Sequence, residues 1–231
     1  MMYELLNLGF FVFIANPLLY TFFYYLLINY NQQFQKLSHE RIRYVIKNLS
    51  KSVFLCFLSL YALPDIIDLY STGVWNNELL HLLGSIYCAT DIAGLLFVPN
   101  LPTTTKFHHS VVTVLSVLNL LVDYQQPGIH RAMVLLCYFS MVPYLVNTLL
   151  GLRPLGFPIL KIQLARICSF IYGLSILMNF SYQHYYVVLA NDYIIFRGLY
   201  LILYWIILYD DLWLLNYLTF TGFDLKFWPY L

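Results

Sequence analysis

The chain has 231 residues, of which 61% are hydrophobic and 10% charged, with a formal net charge of +1. Soluble globular domains are roughly 45–50% apolar and about 25% charged, so a soluble fold is excluded. The net charge itself says nothing about nucleic acid, and no basic cluster interleaved with aromatics points to such a partner, so none is expected. What remains is an all-α, polytopic transmembrane helix bundle with short loops. At about 20 apolar residues per span, the length allows six or seven spans and leaves no room for a soluble domain.

The first predicted helix covers 5–30. The run beginning MMYELLNLGFFVF lacks the basic n-region and small-residue cleavage site of a signal peptide, and its apolar stretch is too long for an h-region. It reads as a retained span. Lys36, Arg41, Arg43, Lys47 and Lys51 follow against Glu40, forming a basic loop before a second helix at 50–71. Asp65, Asp68 and Glu78 mark the next connection, and a third helix covers 79–98. A short loop with Lys106 leads to the fourth helix at 109–124, opened by the pair His108-His109. Asp123 and Arg131 separate it from the fifth helix at 131–152. Arg153 and Lys161 precede the sixth at 158–180, and Asp192 precedes the seventh at 194–220. Pro17, Pro64 and Pro143 lie within or at the ends of these helices, where they kink or stop them.

Positive charge alternates with the odd loops, which the positive-inside rule assigns to the cytoplasmic or matrix face. Seven spans with the N-terminus outside, on the lumenal side, and the C-terminus cytoplasmic fit this pattern. Six fit if 109–124 is re-entrant. The 22 tyrosines and 18 phenylalanines cluster near helix ends as an aromatic belt would. Cys56, Cys88, Cys137 and Cys168 all fall inside apolar segments without paired spacing, as small buried hydrophobes do.

One helix carries a polar face. His109, Thr113, Ser116, Asn119 and Asp123 recur at spacings of 4, 3, 3 and 4, which confines them to about 120° of a helix. His81, Gly84, Cys88 and Asp91 form a matching set on the third helix, Ser140, Tyr144, Asn147 and Gly151 on the fifth, and Arg166, Ser169 and Gly173 on the sixth. Two readings compete. Small and hydroxylic residues can serve as helix–helix glue. Ionisable groups are costly in hydrocarbon and point to an inward pocket, unless Asp91 and Arg166 simply pair with each other. Asp210-Asp211 reads as a wet helix end that could also face the pocket. Adjacent histidines diverge by about 100° on a helix, so no metal site is expected of His108 and His109, and no cofactor is implied. HExxH, Walker A, GxSxG and GxGxxG motifs are absent.

The run IYCATDIAGLLFVPNLPTTTKFHHSVVTVLSVLNLL resembles the centre of the TLC-domain family. That family comprises translocation-associated membrane proteins, longevity-assurance ceramide synthases and lipofuscinosis-type proteins of the endoplasmic reticulum. Asp91, Lys106, His108 and His109 match its order of an Asp in one span, a short basic loop and a His-His pair opening the next. HERIRYVIKNLSKSVFLCFLSLYALPD resembles the family's basic segment and second helix, SMVPYLVNTLLGLR a later helix through Pro143, Tyr144 and Asn147, and Arg166 an arginine of the helix after that. The resemblance covers about 40–220. It divides the chain into a first helix and the start of the basic loop (1–35), a TLC-like bundle (36–222) and a short tail (223–231). The second His-Asp of the ceramide synthases is missing: the corresponding stretch is HRAMVLLCYFS, with only His130. The branches linked to membrane lipid composition fit better.

Three functions follow as expectations. One is a lipid-binding or lipid-regulating protein of the endoplasmic reticulum, its pocket formed by Arg166, Lys106, Thr113, Ser116, Asn119 and Asn147 together with the histidines. The second is an acyl-CoA-dependent acyltransferase with His108 or His109 as general base and Asp91 beside them. The third is an accessory subunit among other membrane-protein subunits, for which the mitochondrial inner membrane is the alternative location.

Overall fold

The computed structural model describes residues 2–101, 103–189 and 192–223. All regular elements among them are helices. Helix α1 (Met2–Phe10) continues through a π-helical turn (Phe11–Ala15) into α2 (Asn16–Tyr30). Pro17 lacks an N–H and its ring crowds the carbonyl one turn back, so the helix widens there. The Asn16 side-chain amide donates to Phe11 O at 2.7 Å, beside the bond that the Asn16 backbone N–H makes to the same carbonyl.

Helix α3 (His39–Thr72) starts at Ser38, whose hydroxyl accepts from the Arg41 N–H, with Glu40 in the first turn. It ends at Gly73, which takes φ +71° and donates its N–H to Leu69 O. At 1.5 Å per residue it is about 50 Å long, longer than a hydrocarbon core needs. Its polar first third is the segment expected as a basic loop. Lys47 and Lys51 are therefore helical and buried, at 5% and 9% exposure, rather than part of a solvated connection.

Helix α4 (Asn77–Phe97) is capped by Asn76, which accepts from Leu79 N–H. Helix α5 (Thr103–Leu121) begins six residues before the expected start and ends before Asp123. The two run antiparallel along their whole length. Gly94 faces His109 near one end, and Asn77 donates to Asp123 at 2.6 Å at the other. The single span expected at 131–152 is broken into α6 (Arg131–Met141) and α7 (Tyr144–Leu152), bent by 42° beside Pro143. A long hairpin of α8 (Pro158–Leu189) and α9 (Ile194–Phe223) closes the bundle. Phe223 belongs to α9, and the rest of the expected tail, 224–231, lies outside the described residues.

Among the described residues, five helices are long and apolar enough to cross a membrane, or six if α6 and α7 make one broken span. Helix α5 falls outside that group, because its first turns read TTTKFHH. The protein is a multi-pass membrane helix bundle. Its core of Leu55, Leu83, Tyr87, Leu115, Leu136 and Ile207 draws on α3, α4, α5, α6 and α9. Its outer face presents Phe22, Phe57, Val117, Phe170 and Ile202, as a lipid-facing surface would.

The connections sort to two ends. Asn31 donates to Leu155 O and Asn100 to Glu40, which ties together the junctions after α2, α4 and α7. At the opposite end Asn77 meets Asp123, and Ile129 N–H donates to Asp192.

Candidate functional site

A cavity of about 290 Å³ lies inside the bundle between α3, α5, α7, α8 and α9. Tyr44, Lys47, Asn48, Lys51 and Leu55 line it from α3 at spacings of 3, 1, 3 and 4, one face of a helix. His108 and His109 enter from α5, Asn147 from α7, Tyr172 from α8, and Asp210 and Asp211 from the middle of α9. Arg153 follows α7 at the same end of the bundle as the α2–α3 junction. Leu55, Val146, Leu150 and Leu214 supply apolar wall.

Asp91 anchors the polar side from behind the cavity wall, with none of its surface exposed. Its Oδ1 accepts a short hydrogen bond from Lys51 Nζ and lies 3.0 Å from His109 Nδ1. With the proton on Nδ1, facing that carboxylate, His109 would have Nε2 as its basic nitrogen. His109 Nε2 lies 3.3 Å from Lys47 Nζ. Gly94 makes this approach possible: a Cβ there would stand 3.1 Å from Lys47 Cε and 3.6 Å from His109 Nε2. The neighbouring ring, His108, places Nδ1 3.2 Å from Asp210 Oδ2. Asp211 accepts from the Tyr172 hydroxyl at 2.6 Å. Each histidine thus has its own carboxylate, from α4 for one and α9 for the other.

Divergence of the two rings does not separate their nitrogens as expected. The rings meet edge to face at 5.6 Å, and one ligand atom from each of Asp91, His108 and His109 falls within 4.8 Å of the others. That spacing could hold a cation. Two ammonium groups already meet the cluster, Lys51 on Asp91 and Lys47 on His109, and a divalent ion would have to displace both.

The expected site residues divide. Asp91, His108, His109 and Asn147 come together at or directly behind the cavity wall. Thr113, Ser116 and Asn119 do not reach it. Thr113 donates to His109 O, Ser116 is buried, and Asn119 donates to His81 O while accepting from the Tyr124 hydroxyl at 2.6 Å. Asn119 thereby ties α5 to α4, as helix glue does, while the Thr113 bond stays within α5. Lys106 is exposed. Arg166 donates through Nε to Gly222 O at 2.8 Å and lies over the Phe223 ring, so the expected Asp91–Arg166 pair does not form. Lys51 takes its place. Lys47, Lys51 and Arg153 read as loop charge in the sequence, and so fall outside the expected site. The 44–47–51–55 helical spacing was the one signal available.

Fold and cavity together define a multi-pass helical membrane protein with an ionisable, partly apolar cavity inside its bundle. No family model, curated protein or solved structure matches the chain.

Proposed function

We propose that the protein binds membrane lipid within this cavity and acts on membrane composition by holding or presenting it. The supporting observation is the joint lining of one cavity by ionisable groups (Lys47, His108, His109, Arg153) and aliphatic ones (Leu55, Val146, Leu150, Leu214). Small-molecule sites pair apolar walls with a few convergent polar groups, usually in about 300–1,000 Å³. At about 290 Å³ the cavity suits a head group and the first part of a chain rather than a whole two-chain lipid. The resemblance to TLC-domain proteins points the same way, and with it to the endoplasmic reticulum. Lys36, Arg41, Arg43 and Arg153 gather at the end where the cavity's α3 and α7 residues lie, which favours a cytoplasmic setting for that end.

Lipid extraction and mass spectrometry of the protein purified in mild detergent tests this. A defined lipid should co-purify and be lost from a Leu150→Trp variant, which fills the cavity. Identical lipid content in both proteins, or none in either, would remove the proposal.

A second reading, acyl transfer, is favoured by the Asp91–His109 contact. A carboxylate behind Nδ1 suits an imidazole that takes a proton through Nε2 from an attacking hydroxyl or amine. Transfer of a labelled acyl group from acyl-CoA to a long-chain amine, abolished in a folded His109→Ala variant, is the expected result. Equal transfer by both proteins would dismiss it.

A further inference from the structure

The charges around the cavity are unevenly paired. Of the carboxylates, Asp91 holds Lys51 and His109, Asp210 stands beside His108, and Asp211 accepts from Tyr172. All three come from α4 and α9. On the α3 and α7 side, Lys47 and Arg153 line the cavity with no carboxylate within 4.0 Å among the described residues. The contact Lys47 makes is with a ring nitrogen, His109 Nε2 at 3.3 Å, and not with a carboxylate oxygen. Arg153 lies 5.7 Å from the Tyr44 ring and 5.3 Å from the Tyr217 ring, which flank its guanidinium without neutralising it.

Two cations on one wall of a low-dielectric cavity are costly unless an anion meets them. Tyr44 stands near both: its ring centre is 5.7 Å from the Arg153 guanidinium, and it lies three residues before Lys47 on the same helical face. A guanidinium and an ammonium that line one cavity offer an oxyanion two kinds of partner, arginine a fork of donors and lysine a point charge. The apolar wall of Leu55, Val146, Leu150 and Leu214 adjoins them and suits a hydrocarbon chain.

We propose that the cavity selects acidic amphiphiles, an oxyanion head on an acyl chain, with Lys47 and Arg153 holding the head. This rests on the reading of the cavity as a lipid site and adds the charge of the ligand and the residues that choose it. His108 and His109 then stand beside the head group rather than bearing its charge.

The test is binding to the purified full chain in a neutral detergent, followed by native mass spectrometry. The probes are phosphatidic acid, oleate, phosphatidylcholine and inorganic phosphate. Phosphatidic acid or oleate should bind at least about tenfold more tightly than phosphatidylcholine, with the stronger of the two identifying phosphate or carboxylate as the preferred head. Lys47→Met and Arg153→Met should each erase that preference. Lys47→Arg should keep it, as should Lys106→Ala, whose side chain is exposed away from the cavity. If Lys47→Met fails to fold, Arg153→Met alone decides. Equal binding of acidic and zwitterionic lipids, or a preference untouched by the methionine variants, overturns the oxyanion site and leaves the lipid reading standing. Binding of inorganic phosphate lost in Arg153→Met, with no lipid bound, keeps the oxyanion site and overturns the lipid one.

Discussion

Asp91 carries more of the site than either histidine, because three groups from two other helices converge on its one carboxylate or stand directly behind it. Removing one partner of a buried pair costs about 3–5 kcal/mol, since the other charge stays behind unpaired. Asp91→Asn should therefore lower thermal stability in detergent by that amount. Adding Lys51→Met should recover most of it, because the stranded ammonium is then gone. A double variant no more stable than Asp91→Asn would show that the carboxylate does not act through Lys51. At the far end of the bundle, Asp123 behaves differently. The Asn77 side chain, then the Gln125 amide, donate to it and hold its carboxyl below the ordinary range. Its contribution is present above the unfolded value of about 4 and is lost as the pH falls through the lower folded value. The 122–130 connection should loosen there first, read as faster amide exchange at acid pH that Asp123→Asn does not show.

The antiparallel pair α4 and α5 shows what helical spacing alone could and could not reveal. The stripe from His109 to Asn119 faces a neighbour, as its period requires, but only its first residue reaches the cavity. Spacing fixes a face of a helix and leaves open which partner that face meets at each depth. Close approach at Gly84 decides the remainder: a Cβ there would lie 2.7 Å from Asn119 Oδ1. Gly84→Ala should displace Asn119 from His81 O and the Tyr124 hydroxyl and cost about 1–3 kcal/mol, as overpacking does. The same substitution in an Asn119→Ala background should cost less, and equal losses in both backgrounds would place the strain elsewhere. Helix α3 failed the reading for a different reason. Hydropathy ends a span where charge begins, so Lys47 and Lys51 read as loop. The partners that let them be buried, His109 and Asp91, lie 62 and 40 residues away in sequence. No local pattern announces such a pairing.

At the scale of the whole molecule, the question is whether α5 crosses the bilayer. By composition it does not qualify, since threonines, a lysine and two histidines fill its first turns. Packing argues that it does. It is 19 residues long, about 28 Å at 1.5 Å per residue, close to a hydrocarbon core of about 30 Å. It follows α4 from Gly94 to Asn77, and the junctions before and after it belong to opposite ends of the bundle, beside Glu40 and Asp192 respectively. His108 and His109 are tolerable because they face the cavity and the α4 seam rather than lipid, while the exposed Thr103 and Lys106 lie in the first turn, where a polar end reaches the membrane interface. Single cysteines placed at Asn100 and at Gln125 in a cysteine-free background should therefore react with a membrane-impermeant thiol reagent from opposite sides of sealed vesicles. Reaction of both from one side would make α5 re-entrant, and the alternation of basic and acidic junctions would then need another origin. Crossing by α5 also fixes where the ionisable groups stand. His109 is in the second turn of α5, and Lys47 is in the third turn of α3 from the same end. The charged wall of the cavity thus lies near one membrane face, within reach of a head group that never leaves its own leaflet.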